Sequence, residues 1–322
     1  MGVRGSKKSR DQSGLIYCAS RLFALQDRRA ILCLAKAIEA ALPEGGPKVF
    51  LPFRDTDQAG IDGADKARTI YNRDISTLKQ AKLVVALVDG VSKDDGVAME
   101  LGYAFGLGIP FILCSSDFIV SRLGASDLYV CDPLVDLLAG SVIRDSGLDL
   151  IGPLSYEAAH TAGSQRFATT VAANVLRFLS SPSQSPSYLD DPLSSNETFI
   201  DIAGGRYAYS EGLEKTVSSS ATNLSFGTRW RDGCSPAALL RDLQKAISAK
   251  RCIFFADSAE MDPGSAFIHG LAVSRKTPVS LFYSGAVLLT GPGGQAMRRN
   301  LMLAESAEHI FSTLDSLIEF LA

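Results

Sequence analysis

The 322-residue sequence predicts an α/β chain built from two doubly wound, parallel-sheet repeats. Three observations carry this expectation. Short apolar runs alternate with amphipathic ones, a thirty-residue stretch recurs at a fixed distance, and a Ser/Pro-rich segment separates its two occurrences. Candidate strands are LIYCA (15–19), KVFLP (48–52), KLVVALVD (82–89) and PFILC (110–114), with helices around 27–42, 66–80 and 97–107. Strand–helix–strand alternation of this kind needs parallel pairing, because each crossover returns the chain to the same end of the sheet. A further helix near 156–180 closes the unit, and SSPSQSPSYLDDPLSSNE then reads as a linker.

Beyond the linker the pattern restarts. Residues 249–278 align without gaps to residues 81–110, with nine of thirty positions identical. The shared positions include Asp89/Asp257, Asp94/Asp262, Gly96/Gly264, Gly102/Gly270 and Pro110/Pro278, all 168 residues apart. Arg73-Asp74 pairs with Arg241-Asp242 at the same offset, IYCASRLF (16–23) echoes IDIAGGRY (200–207), and VFLPFRD (49–55) more weakly echoes LSFGTRW (224–230). Duplicated units commonly pair through one self-complementary face, so a pseudo-dimer is expected. The divisions are a disordered basic leader (1–13), a first repeat (14–180), the linker (181–197) and a second repeat (198–322).

Composition narrows the function. The formal net charge is −3 and no basic run extends beyond Lys7-Lys8, which disfavours a nucleic-acid polymer as partner. No apolar stretch approaches the ~20 residues that span a bilayer, and the first residues lack the apolar core of a secretory signal. A cytoplasmic protein without obligatory membrane contact is expected. Gly2 and Ser6 fit the myristoylation pattern M-G-x-x-x-[ST], which a disordered leader also matches by chance. Six scattered cysteines without a C-x-x-C pair, and three histidines far apart, offer no metal centre or disulfide framework. No metal and no cofactor are expected.

The chemistry concentrates in DDGVAMELGYA, residues 94–104. The segment follows a strand and opens a helix, so it lies at the carboxyl edge of the sheet, where open α/β folds hold ligands. Gly96 suits a tight turn. Glu100 is expected in the first helical turn, where the dipole favours its ionised form. Asp94 approaches the same ligand from the strand end. Two neighbouring carboxyls are the minimum for a retaining displacement at a sugar, although an acidic residue before a helix is ordinarily a cap.

These residues resemble the D-x-G-x-x-x-E-L-G-Y-A motif of the nucleoside 2-deoxyribosyltransferase family, here Asp94, Gly96, Glu100, Leu101, Gly102, Tyr103 and Ala104. IYCASRLF looks like that family's first strand and turn, FLPFRD (50–55) like the loop after its second strand, and YNRDI (71–75) like its Y-N-x-D segment. The resemblance implies a flavodoxin-like sheet and a ping-pong reaction. Glu100 would attack C1′ of a deoxyribose, Tyr17 would hydrogen-bond it, Asp74 would help protonate the leaving base, and Asp94 would hold a sugar hydroxyl; the two aspartates' parts are interchangeable at this stage. Gly96, Arg54 and Asp55 fall among the implied substrate contacts. The partners would be deoxyribonucleosides and free nucleobases, with slow hydrolysis when no acceptor base is bound.

The second repeat has Ile268 where the first has Glu100. In the family, an N-L-M segment from a neighbouring subunit completes each site. Here Asn300-Leu301-Met302 follows the fourth strand of the second repeat, while the stretch SDFIVSRLGASDLYV in the first has no such triplet. Asn300 would then contact the sugar and Met302 cover the pocket, giving one site per chain, with a further homo-oligomer left open. Two rivals stand beside this reading. One is an N-glycosidase of 2′-deoxynucleoside 5′-monophosphates, with Arg298, Arg299 or Arg21 as phosphate ligands. The other is a non-catalytic nucleotide-binding sensor.

Overall fold

A computed structural model describes residues 14–56, 65–91, 93–118, 121–123, 127–181, 195–202, 210–228, 234–257, 260–284, 289–290, 296–297 and 300–322. The leader with Gly2, most of the linker, and Arg298 and Arg299 lie outside them. No helix among the described residues is long and apolar enough to cross a membrane.

The first repeat runs β1 (Leu15–Ser20), α1 (Leu25–Ala41), β2 (Lys48–Phe50), α2 (Pro52–Asp55), α3 (Lys66–Leu78), β3 (Ala81–Leu87), α4 (Asp95–Gly106), β4 (Phe111–Ser115), a hairpin of β5 (Ser121–Leu123) and β6 (Asp127–Tyr129), α5 (Pro133–Leu138), β7 (Ser141–Arg144) and α6 (Tyr156–Ser180). The second runs β8 (Thr198–Asp201), α7 (Ser210–Ser220), β9 (Leu224–Phe226), α8 (Pro236–Ser248), β10 (Arg251–Phe255), α9 (Pro263–Ser274), β11 (Val279–Phe282), a hairpin of β12 (Leu289–Thr290) and β13 (Ala296–Met297), α10 (Leu301–Ser306), β14 (His309–Phe311) and α11 (Leu314–Leu321).

Both sheets are five-stranded and parallel, in the orders β2-β1-β3-β4-β7 and β9-β8-β10-β11-β14. Numbered within each repeat, both are 2-1-3-4-5, the flavodoxin-like order. The four expected strands of the first repeat are present; the fifth, β7, has too short an apolar run to stand out in the sequence. Leu51 and Pro52 leave β2 early, because Pro52 has no N–H for a ladder and instead opens α2.

The strands read as continuous apolar runs because both faces of each sheet are covered. On β1, Ile16 and Cys18 face an outer core with Ile31, Leu34 and Ile38 of α1 and Val171 and Val175 of α6. Tyr17 and Ala19 face the opposite way, into a core that also contains Phe254, Phe267, Ile268 and Leu271 of the second repeat. That inner core joins the halves. Its centre is the crossing of α4 and α9, the most extensive contact between any two elements. Gly102 lies so close to Phe267 that an added Cβ would meet the carbonyl oxygen at 1.8 Å, and Gly270 faces the carbonyl oxygen of Met99 at 1.9 Å in the same sense. Met99 and Phe267 are themselves 168 residues apart, so the crossing is a reciprocal exchange between equivalent positions. Gly102 and Gly270 are explained by this close approach of two backbones rather than by turns.

The shared aspartates after β3 and β10 are structural as well. Asp89 accepts from the Ser115 hydroxyl and the Ser116 N–H, tying β3 to the loop after β4. Asp257 accepts from the Ser284 N–H and hydroxyl in the equivalent place.

Candidate active site

The inner core brings α3 and α4 of the first repeat against α10 of the second. Tyr17 sits on the interior strand β1, between Phe50 and Val84, with its ring stacked 5.5 Å from that of Phe50. Packing fixes the ring, and its hydroxyl donates to Glu100 Oε1 at 2.7 Å. Asp74, buried on α3, accepts from the Thr56 hydroxyl at 3.3 Å. Thr56 is held in turn by Arg73, whose Nη1 donates to its carbonyl at 2.8 Å. Asp94 is the N-cap of α4 and accepts from the Val97 N–H at 2.8 Å. Asn300, the N-cap of α10, accepts the Met302 N–H on Oδ1 and donates from Nδ2 to Asp94 Oδ1 at 3.4 Å. One side chain therefore starts a helix in one repeat and touches the helix cap of the other.

Glu100 is the sixth residue of α4, in its second turn, so the expected first-turn placement and dipole support do not hold. The residue is only 7% exposed, and burial, with the nearby negative charges of Asp74 and Asp94, pushes its pKa well above the ordinary value. The hydrogen bond from Tyr17 pulls the other way. The Tyr17 phenol is itself driven up, first by burial and then by Glu100 and Asp74, so it stays a donor. Burial raises Asp74 to about 7, against a lesser opposing pull from the Thr56 hydrogen bond and the Arg73 charge. Asp94 is raised too, by desolvation and by Asp95 beside it. Burial thus favours the protonated form of all three carboxyls, and a proton shared among such groups supplies an acid beside a carboxylate.

Gly96 is the second residue of α4, inside the helix rather than at a turn. An added Cβ there would lie 2.5 Å from Asn300 Nδ2, so its role is to admit the asparagine. Met302 is buried in the shared core beside Leu303. Arg68 on α3 pairs with Glu305 on α10 at 2.6 Å, a second tie holding that helix against the first repeat.

Arg54 and Asp55 are not brought to Glu100. They pair with each other at 2.9 Å, Arg54 reaches Glu39 of α1 and the Val49 carbonyl, and Asp55 accepts the Leu51 N–H. Both act on Cys18, on the outer face of β1, while Tyr17 points to the inner face. Their place on a surface clasp follows from α2 turning away once Pro52 ends the strand. Residues that sequence reasoning passed over are Thr56, next to the quoted FRD, and Arg73, next to Asp74; both signals were adjacency alone.

The second repeat repeats the arrangement with different groups. Asp262 caps α9 through the Ser265 N–H, Asp242 accepts from the Thr228 N–H at 2.7 Å, and Ile268 lies fully buried at the Glu100 position. Gly264 faces Asp132 as Gly96 faces Asn300. Asp132 precedes α5 as Asn300 precedes α10, and the two lie 168 residues apart. The first-repeat counterpart of Asn300-Leu301-Met302 is thus Asp132-Pro133-Leu134, not the stretch before residue 131. A lid segment exists on both sides; its amide is found on one alone.

Residues 16–151 match the family model described as nucleoside 2-deoxyribosyltransferase, a span inside the first repeat that includes Tyr17, Asp74, Asp94 and Glu100. No curated protein matches the chain significantly. Among solved structures, a conserved protein from Enterococcus faecalis V583 is 29% identical over 36% of this chain and 69% of its own, with a TM-score of 0.29. A 2-deoxyribosyltransferase from Bacillus psychrosaccharolyticus is 19% identical over 45% of this chain and 95% of its own, with a TM-score of 0.33. The family likeness rests on the sequence pattern of the first repeat.

Proposed function

We propose that the first repeat, with its family match over residues 16–151, transfers 2-deoxyribose between nucleobases, and that the second repeat completes its single site. The observation that carries the reading is the Tyr17 hydroxyl bonded to Glu100 Oε1 at 2.7 Å, with Asp74 and Asp94 acting on the same buried carboxyl.

In the first step an ionised Glu100 oxygen bonds to C1′ of a 2′-deoxynucleoside. The C1′–N bond breaks, its electron pair goes to the base nitrogen, and Asp74 delivers the proton that the departing base takes up. In the second step a nitrogen of another base attacks C1′, Glu100 leaves as carboxylate, and the proton shed by the acceptor returns to Asp74. Water in place of the acceptor base gives free deoxyribose. The Asp94–Asn300 pair suits a sugar hydroxyl, since a carboxylate accepts and an amide can do either. Tyr17 lends a hydrogen bond that favours the carboxylate when it is the leaving group.

Glu100→Gln tests the reading. It should lower transfer by several orders of magnitude while leaving the fold intact, because the lost interaction belongs to the transition state. A 2-fluoro-substituted arabinosyl nucleoside should add one sugar mass to the peptide holding Glu100. Label on another residue, or transfer near the wild-type rate in the variant, would discard Glu100 as nucleophile.

A further inference from the structure

Arg21 follows β1 directly, at the carboxyl edge between β1 and β3, the switch point at which open α/β sheets hold ligands. Its Nε donates to Asp27 Oδ2 at 3.2 Å, and Asp27 is steadied by the Ala24 N–H. Its Nη1 lies 4.0 Å from Glu260 Oε1, a residue of the other repeat in the segment leading into α9. Nearby, Met261 donates its N–H to Asp95 Oδ2 at 3.0 Å, so this segment is fastened to the start of α4. The side chains of Arg21 and Glu260 are 32% and 26% exposed, open to an incoming ligand. Both reach the carboxyl of Asp94, Glu260 discouraging its ionisation and Arg21 favouring it.

A guanidinium beside the sugar-binding end of a site would ordinarily attract a phosphate. Here it is already flanked by the carboxylates of Asp27 and Glu260, the latter contributed by the other repeat. A phosphate dianion must displace Glu260 and come to rest against like charge, whereas a hydroxymethyl group meets neither cost. Glu260 is outside the matched residues, and at the 168-residue offset its counterpart is Ser92, so only the site containing Glu100 receives this carboxylate.

We infer that Glu260 is a specificity-determining residue: reaching across the repeat interface to Arg21, it makes the site select 2′-deoxynucleosides with a free 5′-hydroxyl against their 5′-monophosphates. This rests on the deoxynucleoside reading above.

Equilibrium binding separates the two claims. In a Glu100→Gln background, which keeps ligand intact, the four common 2′-deoxynucleosides and their 5′-monophosphates are titrated into the chain with and without Glu260→Gln, and with Glu260→Ala as the second variant. The unsubstituted Glu260 chain should bind a nucleoside more tightly than its monophosphate. Either Glu260 variant should improve monophosphate affinity relative to nucleoside by roughly tenfold or more, the scale of one charge removed at close range in a partly wet site. Adding Arg21→Met should abolish that gain. An unchanged ratio, a gain that survives loss of Arg21, or a preference for monophosphate with Glu260 in place overturns the inference while leaving the deoxynucleoside reading intact. Failure of every ligand to bind overturns both.

Discussion

Replacing Gly102 by alanine should destabilise the protein, although the same change in an ordinary helix position stabilises by about 1 kcal/mol. The new Cβ would stand 1.8 Å from the Phe267 carbonyl oxygen and 2.6 Å from its carbon, where real Cβ contacts essentially never fall below 3.0 Å. The obstacle is helix backbone, so no side-chain rotation relieves it, and α4 and α9 must part by more than about 1 Å. Overpacking of this kind costs roughly 1–3 kcal/mol, and loss of contact along the rest of the crossing adds to it. For a protein of this size that corresponds to a fall in Tm of about 2–5 °C. Gly212 in α7 has nothing within 4 Å of its added Cβ and supplies the control. Gly212→Ala should hold or raise Tm, Gly102→Ala should lower it, and Gly270→Ala, facing the Met99 carbonyl, should lower it alike. The double variant should cost less than the sum, since helices already separated have room for the second methyl. Because Asn300 meets Asp94 across this interface, sugar transfer should fall in step with stability. Equal unfolding curves for Gly102→Ala and Gly212→Ala would refute the close crossing.

Three further outcomes follow from the site. Asn300→Ala should lower kcat/KM by about five- to a hundredfold, the 1–3 kcal/mol of a buried hydrogen-bonding group lost, whereas Asn300→Asp should keep the α10 cap and its stability but still lose activity by setting a carboxylate against Asp94. A pH profile of kcat/KM should be bell-shaped, because the Glu100–Asp74 pair works with one proton; a profile flat from pH 5 to 9 would dismiss the pair. Asp74 rises from 3.8 to about 7 on folding, so the folded state holds the extra proton in that window. Stability should therefore decline as pH rises through it, by at most about 4 kcal/mol for this one group. Urea unfolding at pH 5 and pH 8 should show that decline, and Asp74→Asn should reduce it.

Much of this was legible in the residues. Strands buried on both faces announce themselves as apolar runs, so β1, β3 and β4 were readable within a residue or two, while β7, with a single buried residue, was not. The recurrence of Gly102 and Gly270 signalled duplication, but their purpose needed coordinates, since closeness between two helices has no local pattern. The motif singles out Glu100, but the ionised form expected of it is disfavoured, because burial outweighs the dipole once the side chain lies past the first turn. Arg54 and Asp55 show the opposite failure. Their segment matched in order, yet α2 carries their side chains to the outer face. The counterpart of Asn300 was missed because the repeat was followed only as far as Pro110; carried on at the same offset, it leads directly to Asp132.

The covalent joining of the two repeats has a thermodynamic consequence. A site completed by a separate subunit dissolves when the protein is diluted below the dissociation constant of the pair. Here the α4–α9 crossing and the Asn300–Asp94 contact close within one chain, under an effective concentration set by the linker and independent of how much protein is present. Specific activity should then hold constant down to nanomolar enzyme. The same linkage frees the halves from having to be identical, so Ile268 can pack in one half while Glu100 stands at the equivalent place in the other.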